Sequence, residues 1–288
     1  MGQGAFTVLP QICAEALGVE VDDIRLVTPD TDLVPEAGPT VASRSTTLMG
    51  NAIVLAVRDI RATVLEMAAR MLSLPVDRLE ARKGYIYDRE NPGNHVIFKN
   101  VVAKCMGAGK RLIGQGWWTP PAATLDPETG QGDPYFVYSY STHMAEVIVD
   151  LETGEVEVSD FAAAYDIGKA INPRLVEGQI EGGIGMGVGF ALMEEIVVRN
   201  GVIQNPGLED FLIPTSLDMP PIIPIIVEHE NMLGPYGAKG IGEMANIPTA
   251  PAIVNAIAHA CGGRVRSLPA DPEKVYRAMR DRGRPSAK

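Results

Sequence analysis

The run Gly237-Ala-Lys-Gly-Ile-Gly-Glu243 sets one carboxylate behind three glycines, at the head of an apolar helical pattern that continues to Ile253. Glycine leaves no side chain in the way, so backbone can press against a bulky partner while one acid projects toward it. The segment Met1-Gly2-Gln3-Gly4 repeats the arrangement with an amide in place of the acid. Together with the segments between them, the two runs point to a buried organic cofactor flanked by one general base.

Each residue also has a plain structural role to set beside the chemical one. Glu243 suits the start of its own helix, where an acid favours the positive end of the dipole. Gln3 reads as a solvated N-terminal residue, and Gln179, in Glu177-Gly-Gln-Ile-Glu-Gly182, as an exposed amide near a helix start. Ala42-Ser43-Arg44-Ser45 leads into a long helix that the serines would cap. Arg44 is electrostatically out of place there, because the dipole repels a cation. An anion such as a phosphate, bound by both, removes the conflict. Lys239 fits equally a surface lysine and a second anion contact. A dinucleotide fold is the obvious rival for clustered glycines, and Gly240-Ile-Gly242-Glu-Met-Ala245 does fit G-x-G-x-x-A. A Gly/Pro turn precedes it rather than an apolar strand, and no acid follows about twenty residues on to hold a ribose.

The elements that must position these residues alternate between helix and strand. Apolar spacing predicts a helix over Ala5–Leu17, closed by Gly18, and a second over Ser45–Leu72. Residues 24–27 read as a short strand, and 29–44 as a long loop. Short strands and one helix follow to Trp118. The Pro- and Gly-rich run 119–134 is the expected boundary between two lobes, 1–118 and 119–288. Residues 135–149 and 156–164 read as strands joined by a turn at Asp150–Glu155, with Gly154 where positive φ is wanted. Asn172-Pro173 starts a helix to about Glu195 whose glycines, Gly182 to Gly189, form a face for close approach. The Glu243 helix is expected to run to about His259, and Asp271 to cap a last short one. No internal repeat is present. The fold class is α+β.

Composition narrows the function classes. The 288 residues carry a net charge of −11 without a Lys/Arg tract, which argues against nucleic-acid and anionic-lipid binding. Charge interrupts every apolar run within a turn or two, so no membrane span is expected. The N-terminus lacks the basic and apolar regions of a secretory signal, and the expected location is cytoplasmic. Cys13, Cys105 and Cys261 lie far apart in apolar contexts, too few and too scattered for an iron–sulfur cluster or a zinc site. They read as buried small hydrophobes. His95, His143, His229 and His259 are equally scattered, so no metal ion held directly by the protein is expected.

Several ordered motifs resemble the molybdenum hydroxylases, the family of xanthine dehydrogenase and aldehyde oxidase. Met1-Gly-Gln-Gly4 with Gln11-Ile12 and Ala14-Glu-Ala-Leu-Gly18 is similar to the start of that family's second molybdopterin-binding region. Asp30-Thr-Asp32 and Pro39-Thr-Val-Ala-Ser-Arg-Ser-Thr46 resemble its pterin-contacting loop. Asp166-Ile-Gly-Lys-Ala-Ile-Asn-Pro173, Glu177-Gly-Gln-Ile-Glu-Gly-Gly183 and Phe211-Leu-Ile-Pro-Thr-Ser-Leu-Asp218 follow in the family's order, and Gly240-Ile-Gly-Glu243 matches the segment holding its catalytic glutamate.

The resemblance implies a cofactor, molybdenum–molybdopterin in its cytosine dinucleotide form. It implies hydroxylation of an N-heterocycle (purine or nicotinate-like) or an aldehyde, with water as the oxygen source. Glu243 would be the general base, its pKa raised by burial beside the anionic cofactor. Gln3 would lie near a molybdenum ligand. Gly2, Gly4, Ala42, Ser43, Arg44, Ser45, Gln179 and Lys239 would hold the pterin and its phosphates. The chain begins where the second half of the usual molybdenum subunit begins. The expectation is therefore a medium subunit, like that of nicotinate dehydrogenase or a bacterial xanthine dehydrogenase, or else a fragment. Its expected partners are a larger molybdopterin-binding subunit, an iron–sulfur (Fe-S) subunit and a flavin (FAD) subunit, and alone it should not turn over. Two alternatives are a relative of carbon monoxide dehydrogenase or hydroxybenzoyl-CoA reductase, and a non-catalytic bracing subunit. A brace has no need of Glu243, Gln3 and Gln179 together.

Overall fold

The computed structural model describes residues 2–121 and 124–281. Met1 of the N-terminal motif, residues 122–123 of the expected lobe boundary and residues 282–288 lie outside the described residues. The chain divides into two compact units, Met1–Tyr138 with His229–Gly240, and Ser139–Glu228 with Ile241–Lys288. Residues 119–138 thus go with the first unit, and 229–240 return to it.

In the first unit, α1 (Ala5–Leu17) runs between two left-handed glycines, Gly4 at φ 84° and Gly18 at φ 83°. Gly18 is held to that role by space as well as by φ, because a Cβ there would lie 2.2 Å from the Ala81 carbonyl oxygen. The next helix, α2 (Ser45–Leu72), buries Val57, Val64 and Ala68 at helical spacing. It packs on α1 in ordered contacts: Ile12 approaches Gly50, and the Arg61 guanidinium donates to the Ala16 carbonyl at 3.1 Å. The two helices therefore run in the same sense, with their N-termini at the same end. An antiparallel sheet of β1 (Leu79–Arg82), β2 (Tyr85–Asp88) and β3 (His95–Ile97) follows, then α3 (Phe98–Gly107). Val64, Ile86, Val101 and Cys105 form its core. Arg78 clamps the buried Asp88 at 2.5 Å and holds that carboxyl below its ordinary range. A short hairpin of β4 (Thr124–Leu125) and β5 (Gly132–Asp133) completes this part.

The second unit is built on β6 (Ser141–Val149) and β7 (Val156–Asp166), antiparallel across a turn in which the Asp150 carboxylate accepts the amides of Glu152 and Thr153. Asn172 caps α4 (Pro173–Leu192) by accepting from the Leu175 amide at 3.1 Å, a bond worth about 1 kcal/mol. The small β8 (Val198–Arg199) and β9 (Val202–Ile203) hairpin precedes β10 (Ile222–Val227), which joins β7 in parallel to give the order β10-β7-β6. Then come α5 (Thr249–Cys261) and α6 (Pro272–Arg280), the latter capped by Asp271. Phe161, Ala163 and Tyr165 of β7 meet Ile180, Ile184 and Val188 of α4 and Ile253 and Ile257 of α5 in one buried core. Alternation along β7 makes that face apolar, and the period of the two helices matches it.

Three expectations about elements need correction. Residues 24–27 form no strand and follow a 3-10 turn at Val21–Asp23. The strand expected from residue 135 begins at Ser141. No helix runs unbroken from Glu243 to His259: Glu243–Ala245 is a 3-10 turn, and α5 starts only at Thr249. Gly242, at φ −145° and ψ −92°, is far from helical, and Pro248 disfavours helical backbone at the residue before it.

Candidate functional site

In the first unit all but Lys239 of the residues expected to hold a cofactor sit at two helix N-termini. Gly2 and Gly4 are both left-handed at φ 88° and 84°, and α1 begins with no side-chain cap and no acid in its first turn. At α2 the N-cap is Arg44, again without a side-chain cap or an acidic first turn. Ala42 and Ser43 precede it at φ 53° and 50°, a left-handed pair of non-glycine residues that costs about 1–2 kcal/mol each. Backbone strain of this kind persists where surrounding contacts impose it. Gly240 supplies one: a Cβ there would lie 1.7 Å from the Ser43 carbonyl oxygen. The Arg44 guanidinium lies beside Gly38, and Lys239 donates from Nζ to the Tyr138 carbonyl at 2.8 Å. Two helix N-termini at one end of a helix pair, with a guanidinium and no carboxylate in either first turn, suit an anionic group such as a phosphate.

In the second unit Gln179 is half-buried on α4, and Glu243 is exposed as the first residue of its 3-10 turn. This chain by itself does not bury the acid. The structure packs the helix of Gln179 directly on the turn of Glu243, because a Cβ on Gly183 would fall 2.4 Å from that of Ala245. Gly187 meets Thr249 in the same way at 2.3 Å. The expected face for close approach is used within the chain: Gly183 and Gly187, four apart, meet its own turn and α5. Gly182 has nothing within 4 Å, and Met186 and Phe190 extend the same exposed stripe at 64% and 54% exposure.

A buried polar chain beneath this turn escaped the sequence reading. Tyr165, fully buried on β7, donates from its hydroxyl to the Ala245 carbonyl at 3.1 Å. Its oxygen in turn meets His143 Nε2, and Thr249 Oγ1 lies 3.2 Å from His143 Nδ1. Since Tyr165 spends its proton on Ala245, its oxygen accepts from Nε2–H, which leaves Nδ1 to accept from the Thr249 hydroxyl. The one available signal was His143 itself, a polar residue in register with the inward-facing Ala145, Val147 and Val149 of β6.

Burial holds the His143 pKa down to about 4, from 6.5, and pushes the Tyr165 hydroxyl up. As pH falls below about 6.5 the unfolded chain gains a proton at this imidazole, while the folded chain does so only near 4. Stability supplied by neutral His143 is thus complete above about 6.5 and is lost as pH drops toward 4. Urea unfolding between pH 7 and 4.5 should show that loss, and a His143→Gln variant should show a shallower one. Equal slopes would mean that His143 is not held neutral.

The chain matches the molybdopterin cofactor-binding domain family over residues 1–220. It is 33% identical over 279 residues to a putative xanthine dehydrogenase molybdenum-binding subunit of Escherichia coli, covering 96% of this chain and 36% of that protein. Among solved structures, the quinoline 2-oxidoreductase of Pseudomonas putida 86 superposes with a TM-score of 0.83 at 31% identity, covering 98% of this chain and 36% of that one. The reconstituted CO dehydrogenase of Oligotropha carboxidovorans superposes with a TM-score of 0.84 at 27% identity, covering 98% and 35%. The chain spans about a third of the length of these relatives.

Proposed function

The chain belongs to the molybdopterin cofactor-binding domain family of the molybdenum hydroxylases, and from that premise we propose that it serves as one molybdopterin-binding subunit of a multi-subunit enzyme, active only with its partners. The reaction is hydroxylation of an N-heterocycle of the purine or nicotinate kind, or of an aldehyde, with oxygen taken from water. The observation that carries this reading is the pair of uncapped, acid-free helix N-termini in the first unit, at the motifs expected to contact the pterin.

When bound, the molybdenum cofactor supplies the two-electron acceptor that no side chain can provide. In this reading the backbone of Gly2, Gly4, Ala42, Ser43 and Ser45 donates to the cofactor's anionic groups, and Arg44 and Lys239 neutralise them. Gln3 and Gln179 orient it through their amides. Glu243 takes the proton from the attacking oxygen, a role that needs only a carboxylate within hydrogen-bond reach. Its exposure on this chain fits a wall completed by the cofactor and a larger molybdopterin-binding partner. The exposed stripe of Gly182, Met186 and Phe190 lies in the same unit and is assigned to that partner. Iron–sulfur and flavin (FAD) subunits would carry the electrons away, and the complex is placed in the cytoplasm.

The test is purification of the tagged chain from a host that makes the cofactor. The expected result is a complex with a larger molybdenum-binding chain and iron–sulfur and flavin chains, with about one molybdenum per copy and cytidine monophosphate released on acid hydrolysis. The interface with the larger chain should exceed the ~1,200–2,000 Å² of a standard complex. A well-behaved monomer that carries molybdopterin unaided would overturn the subunit reading.

A further inference from the structure

Glu243 opens a turn of three residues, too short to hold its own geometry. Something must fix it. Gly183 fixes the Ala245 side chain from one side by close packing. A hydrogen bond reaches the turn from outside its own neighbourhood: Tyr165 donates to the Ala245 carbonyl from 80 positions away in sequence. Tyr165 cannot wander: it is fully buried, and the His143 ring stands edge-on to it, with centroids 5.1 Å apart, and to Phe161 at 5.3 Å. His143 is anchored at its other nitrogen by Thr249, the buried first residue of α5. The chain of donors runs one way, from Thr249 through His143 and Tyr165 to Ala245. It ties Ala245 and Thr249, on either side of Pro248, to the sheet.

We propose that Thr249, His143 and Tyr165 form a positioning relay that sets the backbone of the Glu243 turn, and through it the direction in which the carboxylate is presented. The claim about direction rests on the reading of Glu243 as the base; the claim about the turn does not. Neither Tyr165 nor His143 touches a reacting group in this assignment. They act through the Ala245 carbonyl.

The experiment is Tyr165→Phe in the assembled complex, which keeps the ring and removes the hydroxyl. Amide hydrogen exchange is expected to rise about tenfold at Ala245 and Asn246, the two amides that close the turn, with β7 and α4 unchanged. Turnover should fall about ten- to a hundredfold in kcat with KM near wild type, as misplacement of a catalytic group predicts. A second pair guards against simple misfolding: His143→Gln keeps a side-chain N–H toward Tyr165 and should exchange more slowly at the turn than His143→Leu. Unchanged exchange in Tyr165→Phe, or equal exchange in the two His143 variants, overturns the relay. A loosened turn with wild-type kcat, where Glu243→Gln is inactive, overturns its role in presenting the acid. If Glu243→Gln is itself active, the reading of the base fails, and exchange alone then judges the turn.

Discussion

Replacing Glu243 by glutamine is expected to leave assembly and molybdenum content at wild-type levels and to lower turnover by ~10²–10⁴-fold, the usual contribution of a general base. The amide keeps the shape of the side chain and loses only its capacity to take a proton. The change leaves the core untouched, because Glu243 is exposed in this chain and stands at the head of a turn. The loss should appear in kcat and kcat/KM together, as for an interaction made in the transition state. Turnover within about tenfold of wild type would remove Glu243 from the chemistry.

Gly240→Ala is expected to act on structure first. The added Cβ would lie 1.7 Å from the Ser43 carbonyl oxygen and 2.8 Å from its carbon. Both are backbone atoms, so no side-chain rotation relieves the clash. Overpacking of this kind costs about 1–3 kcal/mol, and the upper end is expected here because the strained Ala42–Ser43 backbone would have to move. Molybdopterin retention should fall with it, since the same backbone leads into the N-terminus of α2. Gly182→Ala in the isolated chain is the contrast: with nothing within 4 Å, it should gain up to about 1 kcal/mol from helix propensity. Denaturant midpoints and bound pterin, measured together, check both. A Gly240→Ala protein as stable and as well loaded as wild type would mean that the two segments are not packed as described.

What the sequence made legible follows from how local each cause is. The limits of α1 and α2 are set by apolar spacing and by Gly18, and the structure reproduces them to the residue. The caps of Asn172 and Asp271 act over three positions and were equally readable. The Glu243 segment was not, because its apolar pattern is helical while Gly242 and Pro248 break the backbone on either side of the turn. The glycines of α4 gave a face, but which pair closes depends on Ala245 and Thr249, more than sixty residues away in the chain. The polar chain joins residues 22, 80 and 106 apart, and no periodicity reports such distances. The candidate site residues were proposed from motifs, whereas the uncapped helix ends, the left-handed Ala42–Ser43 pair and its contact with Gly240 needed the fold.

The central claim is that this chain binds a molybdenum–molybdopterin group at its helix N-termini and supplies Glu243 as the base. A high-resolution map of the purified, cofactor-loaded complex tests it most directly. Residues 42–45 and the backbone of Gly2-Gln3-Gly4 should lie within hydrogen-bond distance of the pterin or its phosphates, with the Glu243 carboxylate facing the metal. A map in which the cofactor is bound wholly by another chain, with the 42–45 loop in solvent and Glu243 turned away, would contradict the account.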